Sequence, residues 1–184
     1  ITIINQFYSP DISATANLAS SLAEACAQKN WQVTVITSRG NYLAGENPNR
    51  AECSENQSRI DNLQVIRLWT PSWGKKNIFC RIADYGIFYL LAAFRMLVLR
   101  RQNLIISLTT PPFLVSLAVL HRLIHWKTKI LLWNMDCYPE VLERLQVIRK
   151  KGIINRCLRS FNHLLSRFID HVVCLDHAMQ RLLC

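Results

Sequence analysis

The stretch NLIISLTTPPFLVSLAVLHRLIHWKTKILLWNMDCYPE, residues 103–140, decides the fold. NLIISLTT (103–110) is a short apolar run and reads as a strand. Pro111 and Pro112 follow it, and proline suits the first turn of a helix, so FLVSLAVLHRLIHW (113–126) is expected to be a helix that starts there. KILLWNM (129–135) is again strand-like and empties into Asn134, Asp136, Tyr138, Pro139 and Glu140. Strand, helix and strand over roughly 30 residues make a βαβ unit, which lays the two strands parallel in one sheet.

The same alternation extends in both directions. Upstream, ITIINQFY (1–8), WQVTVITS (31–38) and LQVIRLW (63–69) read as strands. Between the first two lies SPDISATA, whose Ser and Thr can cap the helix NLASSLAEACAQKN; Leu18, Leu22 and Cys26 fall there at helical spacing. Residues 39–61 are polar and form the longest loop. Downstream come YPEVLERLQVI (138–148), a basic helix around 153–168, and a sixth strand, HVVCLD (171–176). The expected fold is α/β, a Rossmann-like three-layer sandwich with a mostly parallel sheet. At 184 residues the chain suits one domain. It opens inside a strand-like run and closes on HAMQRLLC, which reads as a helix cut short, so a piece of a longer protein is expected.

The net charge of +10 is unevenly distributed. Residues 1–74 hold five Lys/Arg and six Asp/Glu; residues 75–184 hold seventeen and six. An anionic neighbour is therefore expected for the second half. The basic tract Arg144, Arg149, Lys150, Lys151, Arg156, Arg159 and Arg167 has no stacking aromatics alternating with its charges, which argues against nucleic acid and for phosphates or a membrane surface. Seven scattered cysteines without a CxxC indicate reduced thiols in a cytosolic setting. There is no GxGxxG after the first strand, no GxxxxGK[ST] and no GxSxG, so dinucleotide, P-loop and serine-hydrolase chemistries are set aside. His121 and His125 stand at i, i+4 without a nearby carboxylate and read as a basic helix face in preference to a metal site.

Segment 77–101, NIFCRIADYGIFYLLAAFRMLVLRR, is apolar nearly all round a helical wheel. Arg81, Asp84 and Arg95 share one face with Tyr85, Phe88, Ala92 and Leu99, and this charged face is the one expected in solvent. A core helix and an interfacial helix on anionic lipid both fit, since Lys75, Lys76, Arg100 and Arg101 flank the run. The 13 residues from Ile87 to Leu99 are too few to span a bilayer, which takes about 20.

Ligands of open parallel sheets bind beyond the carboxyl ends of the strands. That rule selects Ser9–Ala16, Ser38–Asn41, Thr109–Pro112, Asn134–Glu140 and Asp176–His177. Within them Asp136 and Glu140 fit a pair of acid–base carboxylates and equally a capping pair at a helix start.

Three stretches carry a family resemblance. NQFYSPDISATANLASSLAEACAQKNWQVTVITS, LLWNMDCYPEVLERLQVI and IDHVVCLDHAMQRLL, in that order and with LIISLTTPPFLVSLAVL between the first two, resemble the N-terminal half of family-4 glycosyltransferases of the GT-B fold. The second is similar to the "xxDxxPExxxxLGxI" stretch of the subgroup that makes bacterial exopolysaccharide and O-antigen. The resemblance implies an acceptor-side domain, with a C-terminal domain outside residues 1–184 that holds most contacts to a nucleotide-sugar donor. It implies transfer to a lipid-linked or polysaccharide acceptor, no cofactor and no metal, at the cytoplasmic face of a membrane met through 75–101 and 144–167. Sugar transfer by this domain alone is not expected. By the same resemblance Asp136 is the expected catalytic residue. Ser13, Ala14, Thr15, Thr109, Thr110, Asn134, Tyr138 and Glu140 are expected to bind substrate. Two departures stand out: Ser13-Ala14-Thr15-Ala16 replaces a common Gly-Gly pair, and Asn134-Met135-Asp136 stands where many relatives carry a histidine. Two readings from other classes stay open, a non-catalytic Rossmann-like module on a membrane or anionic partner and a sugar-nucleotide epimerase.

Overall fold

The β-branched and leucine-rich runs form one parallel sheet in the computed structural model, which describes residues 1–39, 60–71, 78–144, 152–175 and 179. The elements are β1 (Thr2–Ile4), α1 (Ala14–Gln28), β2 (Val33–Ser38), β3 (Leu63–Leu68), α2 (Ile78–Val98), β4 (Leu104–Leu108), α3 (Val115–Ile124), β5 (Lys129–Asn134), α4 (Glu140–Arg144), α5 (Ile153–Ser166) and β6 (His171–Cys174). The strand order is β3-β2-β1-β4-β5-β6, and every neighbouring pair is parallel. This is the Rossmann-like α/β fold. Chain direction across the sheet reverses between β1 and β4, which places a crevice at their carboxyl ends.

Alternation along each strand splits the core in two. Ile4, Ile36, Ile105, Ile130 and Leu132 face α2, α3 and Leu165 of α5. Ile3, Val33, Val35, Ile106 and Leu108 face α1. α1 approaches closely because its buried side is made of small residues, Ala16, Ala19, Ser20, Ala23, Cys26 and Ala27. Ser13 caps it, as expected for that loop: its Oγ accepts the Ala16 N–H at 3.0 Å.

Three expectations are corrected. β1 is shorter than residues 1–8, because the backbone at Gln6 turns to bond the end of β2 and the loop after β4. Its N–H donates to Thr110 O, and its carbonyl accepts the Ser38 N–H and the Thr37 and Ser38 hydroxyls. α3 begins at Val115, after a turn containing Pro111 and Pro112, so the prolines build the preceding loop and do not open the helix. His121 is fully buried and its Nδ1 donates to Met96 O at 2.9 Å; burial lowers its pKa and keeps it neutral, so it does not belong to a basic face. Among the described residues no three His, Cys, Asp or Glu side chains gather as a metal site. The polar loop expectation for 39–61 and the basic residues Arg149, Lys150 and Lys151 fall almost wholly outside the described residues.

Candidate functional site

The loops after β4 and β5 meet over a small pocket. Thr109, the first residue beyond β4, is buried, and its hydroxyl oxygen accepts the backbone N–H groups of Met135 (3.2 Å) and Asp136 (3.3 Å). That pair of bonds fixes the turn leaving β5 and presents the Asp136 side chain at the pocket wall. Asn134, at the end of β5, is buried beside it and donates to Cys137 Sγ at 3.5 Å. Burial pushes the Cys137 thiol upward, which favours its protonated form.

The rest of the wall is aromatic and amide. Phe113 holds a left-handed backbone conformation, φ 60°, which a bulky residue adopts only when its surroundings impose it. Its ring lies 6.2 Å from Tyr138 and 5.7 Å, edge-on, from Phe161. Asn162, on α5, donates to Tyr138 O at 3.1 Å and lines the same pocket. The pocket measures about 30 Å³. That is room for about two water-sized groups, hence for a hydroxyl-bearing fragment and not for a whole sugar nucleotide.

Among the described residues the Asp136 carboxylate accepts no hydrogen bond, from the amides of α4 or elsewhere. The capping reading of Asp136 is therefore set aside: α4 is entered through Val141 N to Cys137 O and Glu143 N to Pro139 O. Glu140 goes elsewhere. It pairs with Arg159 at 3.0 Å, and Glu143 takes the other arm of that guanidinium at 2.7 Å, which ties α4 to α5 and draws Glu140 away from the pocket wall. Glu140 does not line the pocket that Asp136 lines.

The first loop forms a second wall of the crevice. Ser13, Ala14 and Thr15 are the start of α1, with Ser13 Oγ 3.2 Å from Thr15 Oγ1, and they do not line the pocket beside Asp136. Thr110 joins the two walls through its carbonyl, which accepts the Gln6 N–H at 3.1 Å. Behind this loop sits a buried polar group that sequence reading passed over. Asp11 accepts the Tyr8 N–H at 3.4 Å, Arg67 donates to Ser9 O at 2.5 Å, and the guanidinium lies 6.0 Å from the Tyr8 ring centre. Burial drives the Tyr8 phenol up to about 12 and raises Asp11, while Arg67 is lowered. A signal existed for Gln6, a polar residue inside an apolar run. Asn162 and Phe113 carried none, since one sits mid-helix and the other reads as ordinary helix.

Neither a protein-family model, nor a curated protein, nor a solved structure matches the chain.

The site consequently stands on its own geometry. An unengaged carboxylate, two amides, a threonine and an aromatic wall can together hold a polyol: the polar groups meet hydroxyls, and the rings meet the C–H face of a sugar.

Proposed function

We propose that this domain is the acceptor side of a glycosyltransferase that moves a sugar from a nucleotide-sugar donor to a lipid-linked or polysaccharide acceptor at the cytoplasmic face of a membrane. The observation that carries the reading is the Asp136 carboxylate, free of hydrogen bonds among the described residues, at the carboxyl end of β5 and flanked by Thr109, Asn134 and Tyr138. A hydroxyl of the acceptor bonds to it there, and the aromatic wall orients the sugar ring. The resemblance of residues 5–38 and 131–148 to family-4 glycosyltransferases supports the same class. The donor is held mainly by a second domain outside residues 1–184, and the chemistry rests on positioning and on stabilising the leaving diphosphate.

The test uses the full-length protein with nucleotide-sugar donors and lipid-linked acceptors. Release of nucleoside diphosphate only when acceptor is present, with a glycosylated acceptor as product, is the expected result. Turnover of donor without acceptor points to an epimerase. No turnover with a broad donor and acceptor panel removes the enzyme reading.

A further inference from the structure

We propose that α2 and the carboxyl end of α3 form a docking surface for an anionic lipid bilayer, on which the domain rests with α2 parallel to the membrane plane. It deepens the membrane placement of the reading above and rests on that part of it; vesicle binding is read without any sugar transfer, so the two can fail separately.

α2 is turned opposite to an ordinary surface helix. Its one acid, Asp84, is buried with Phe88, Ala92 and Met96 against the sheet. The outward stripe is Ile82, Gly86, Leu90, Phe94, Leu97 and Val98, all exposed and none of them charged. Leu90 and Phe94 are 73% and 69% exposed. At 1.5 Å per residue the stripe runs about 24 Å. A contiguous apolar surface of this kind on a folded domain marks something that covers it.

The bonds His121 Nδ1 to Met96 O and Thr128 Oγ1 to Gln102 O bring the end of α3 beside the end of α2. Exposed Leu123, Ile124 and Trp126 thereby join Phe94, Leu97 and Val98 at one end of the domain. The rim there is basic. Arg100, Arg101, Lys127 and Lys129 are exposed, and from Ile78 to Met135 the sequence holds seven Lys/Arg against the single buried Asp84.

An apolar stripe with a rim rich in exposed cations, Asp170 beside it being paired with Arg122, complements acyl chains below a layer of anionic head groups, and tryptophan favours that boundary. Among the described residues no helix is long and apolar enough to cross a membrane, so the contact is along the surface. Midway along α2 the Tyr89 hydroxyl donates to Pro112 O in the site loop. A bilayer under α2 therefore brings the pocket close to the lipid surface.

The experiment is flotation of the protein with vesicles of phosphatidylglycerol mixed into phosphatidylcholine, against pure phosphatidylcholine. Binding is expected only with phosphatidylglycerol, and it weakens as salt rises. Phe94→Gln with Leu97→Gln, and separately Arg100→Gln with Arg101→Gln, each lower binding by roughly tenfold or more. Ile153→Gln, at an exposed position on α5, leaves it unchanged. Trp126→Gln serves as a third variant if either pair fails to fold. Absent binding, equal binding to pure phosphatidylcholine, or full binding by both pairs overturns the proposal. A stable dimer that Phe94→Gln with Leu97→Gln dissolves also overturns it, by assigning the face to a second copy.

Discussion

Asp136 gains its position from a residue 27 places earlier. Thr109 accepts the Asp136 N–H, so the backbone is held while the carboxylate stays available. Asp136→Asn keeps the shape and removes the charge. In the full-length protein the glycosyl transfer proposed above should fall by about 10²-fold, the scale of one acid–base group, while the thermal midpoint stays put. Unchanged turnover would take Asp136 out of the mechanism. Asp170 shows the contrasting case of a carboxylate fully occupied by structure. Its Oδ2 accepts the Ile130 N–H at 2.8 Å and pairs with Arg122 at 2.5 Å, which ties the entry of β6 to β5 and α3. Burial opposes its charge, yet the Ile130 amide and Arg122 outweigh that and hold its pKa below the usual aspartate value. A depressed folded-state pKa stabilises the fold above the unfolded value and loses that contribution as pH falls through the folded one. Asp170→Asn should therefore cost about 1 kcal/mol at neutral pH, the pair being partly solvated, and less at an acidic pH below the usual aspartate value of about 3.9. Urea midpoints of both proteins at the two pH values decide it, and an equal gap at both would refute the assignment.

At the scale of the element, α2 carries the sharpest contrast in the molecule. Phe88 and Phe94 lie six residues apart on one helix, one fully buried and one 69% exposed. Phe88→Ala should cost about 3–5 kcal/mol, because it empties a site in the core beside Ile4 and Ile105. Phe94→Ala should change stability by no more than about 0.5 kcal/mol. Equal losses, measured by denaturant unfolding, would mean that the helix is turned the other way. The helical wheel placed the charged face in solvent, on the general rule that charge faces water. The fold does the reverse, since Phe88, Ala92 and Met96 supply the shape that fits the sheet and Asp84 is carried inward with them. α3 teaches a related point: its prolines are read as a helix start, but Phe113 leaves the helical region before Val115 enters it.

For the whole molecule, the strand–helix alternation was legible because each strand is an apolar β-branched run and each helix carries its own periodicity. Both signals are local, and the right-handed parallel crossover follows from them. The six strands and their parallel arrangement follow from the same cues, as does the rule that a site lies beyond their carboxyl ends. Within that edge, Thr109, Asn134, Asp136 and Tyr138 were legible as a strand-end cluster and do meet around one pocket. Glu140 was equally legible and is drawn away by Arg159, whose approach depends on how α5 packs. Asn162 joins the pocket wall and Phe161 packs edge-on against Phe113, both from the same distant helix. The sequence by itself determined the elements, the parallel sheet and the edge where the pocket lies. Only the tertiary structure decided which carboxylate stays free and which face of α2 is left outside, because both depend on contacts between segments that no local pattern encodes.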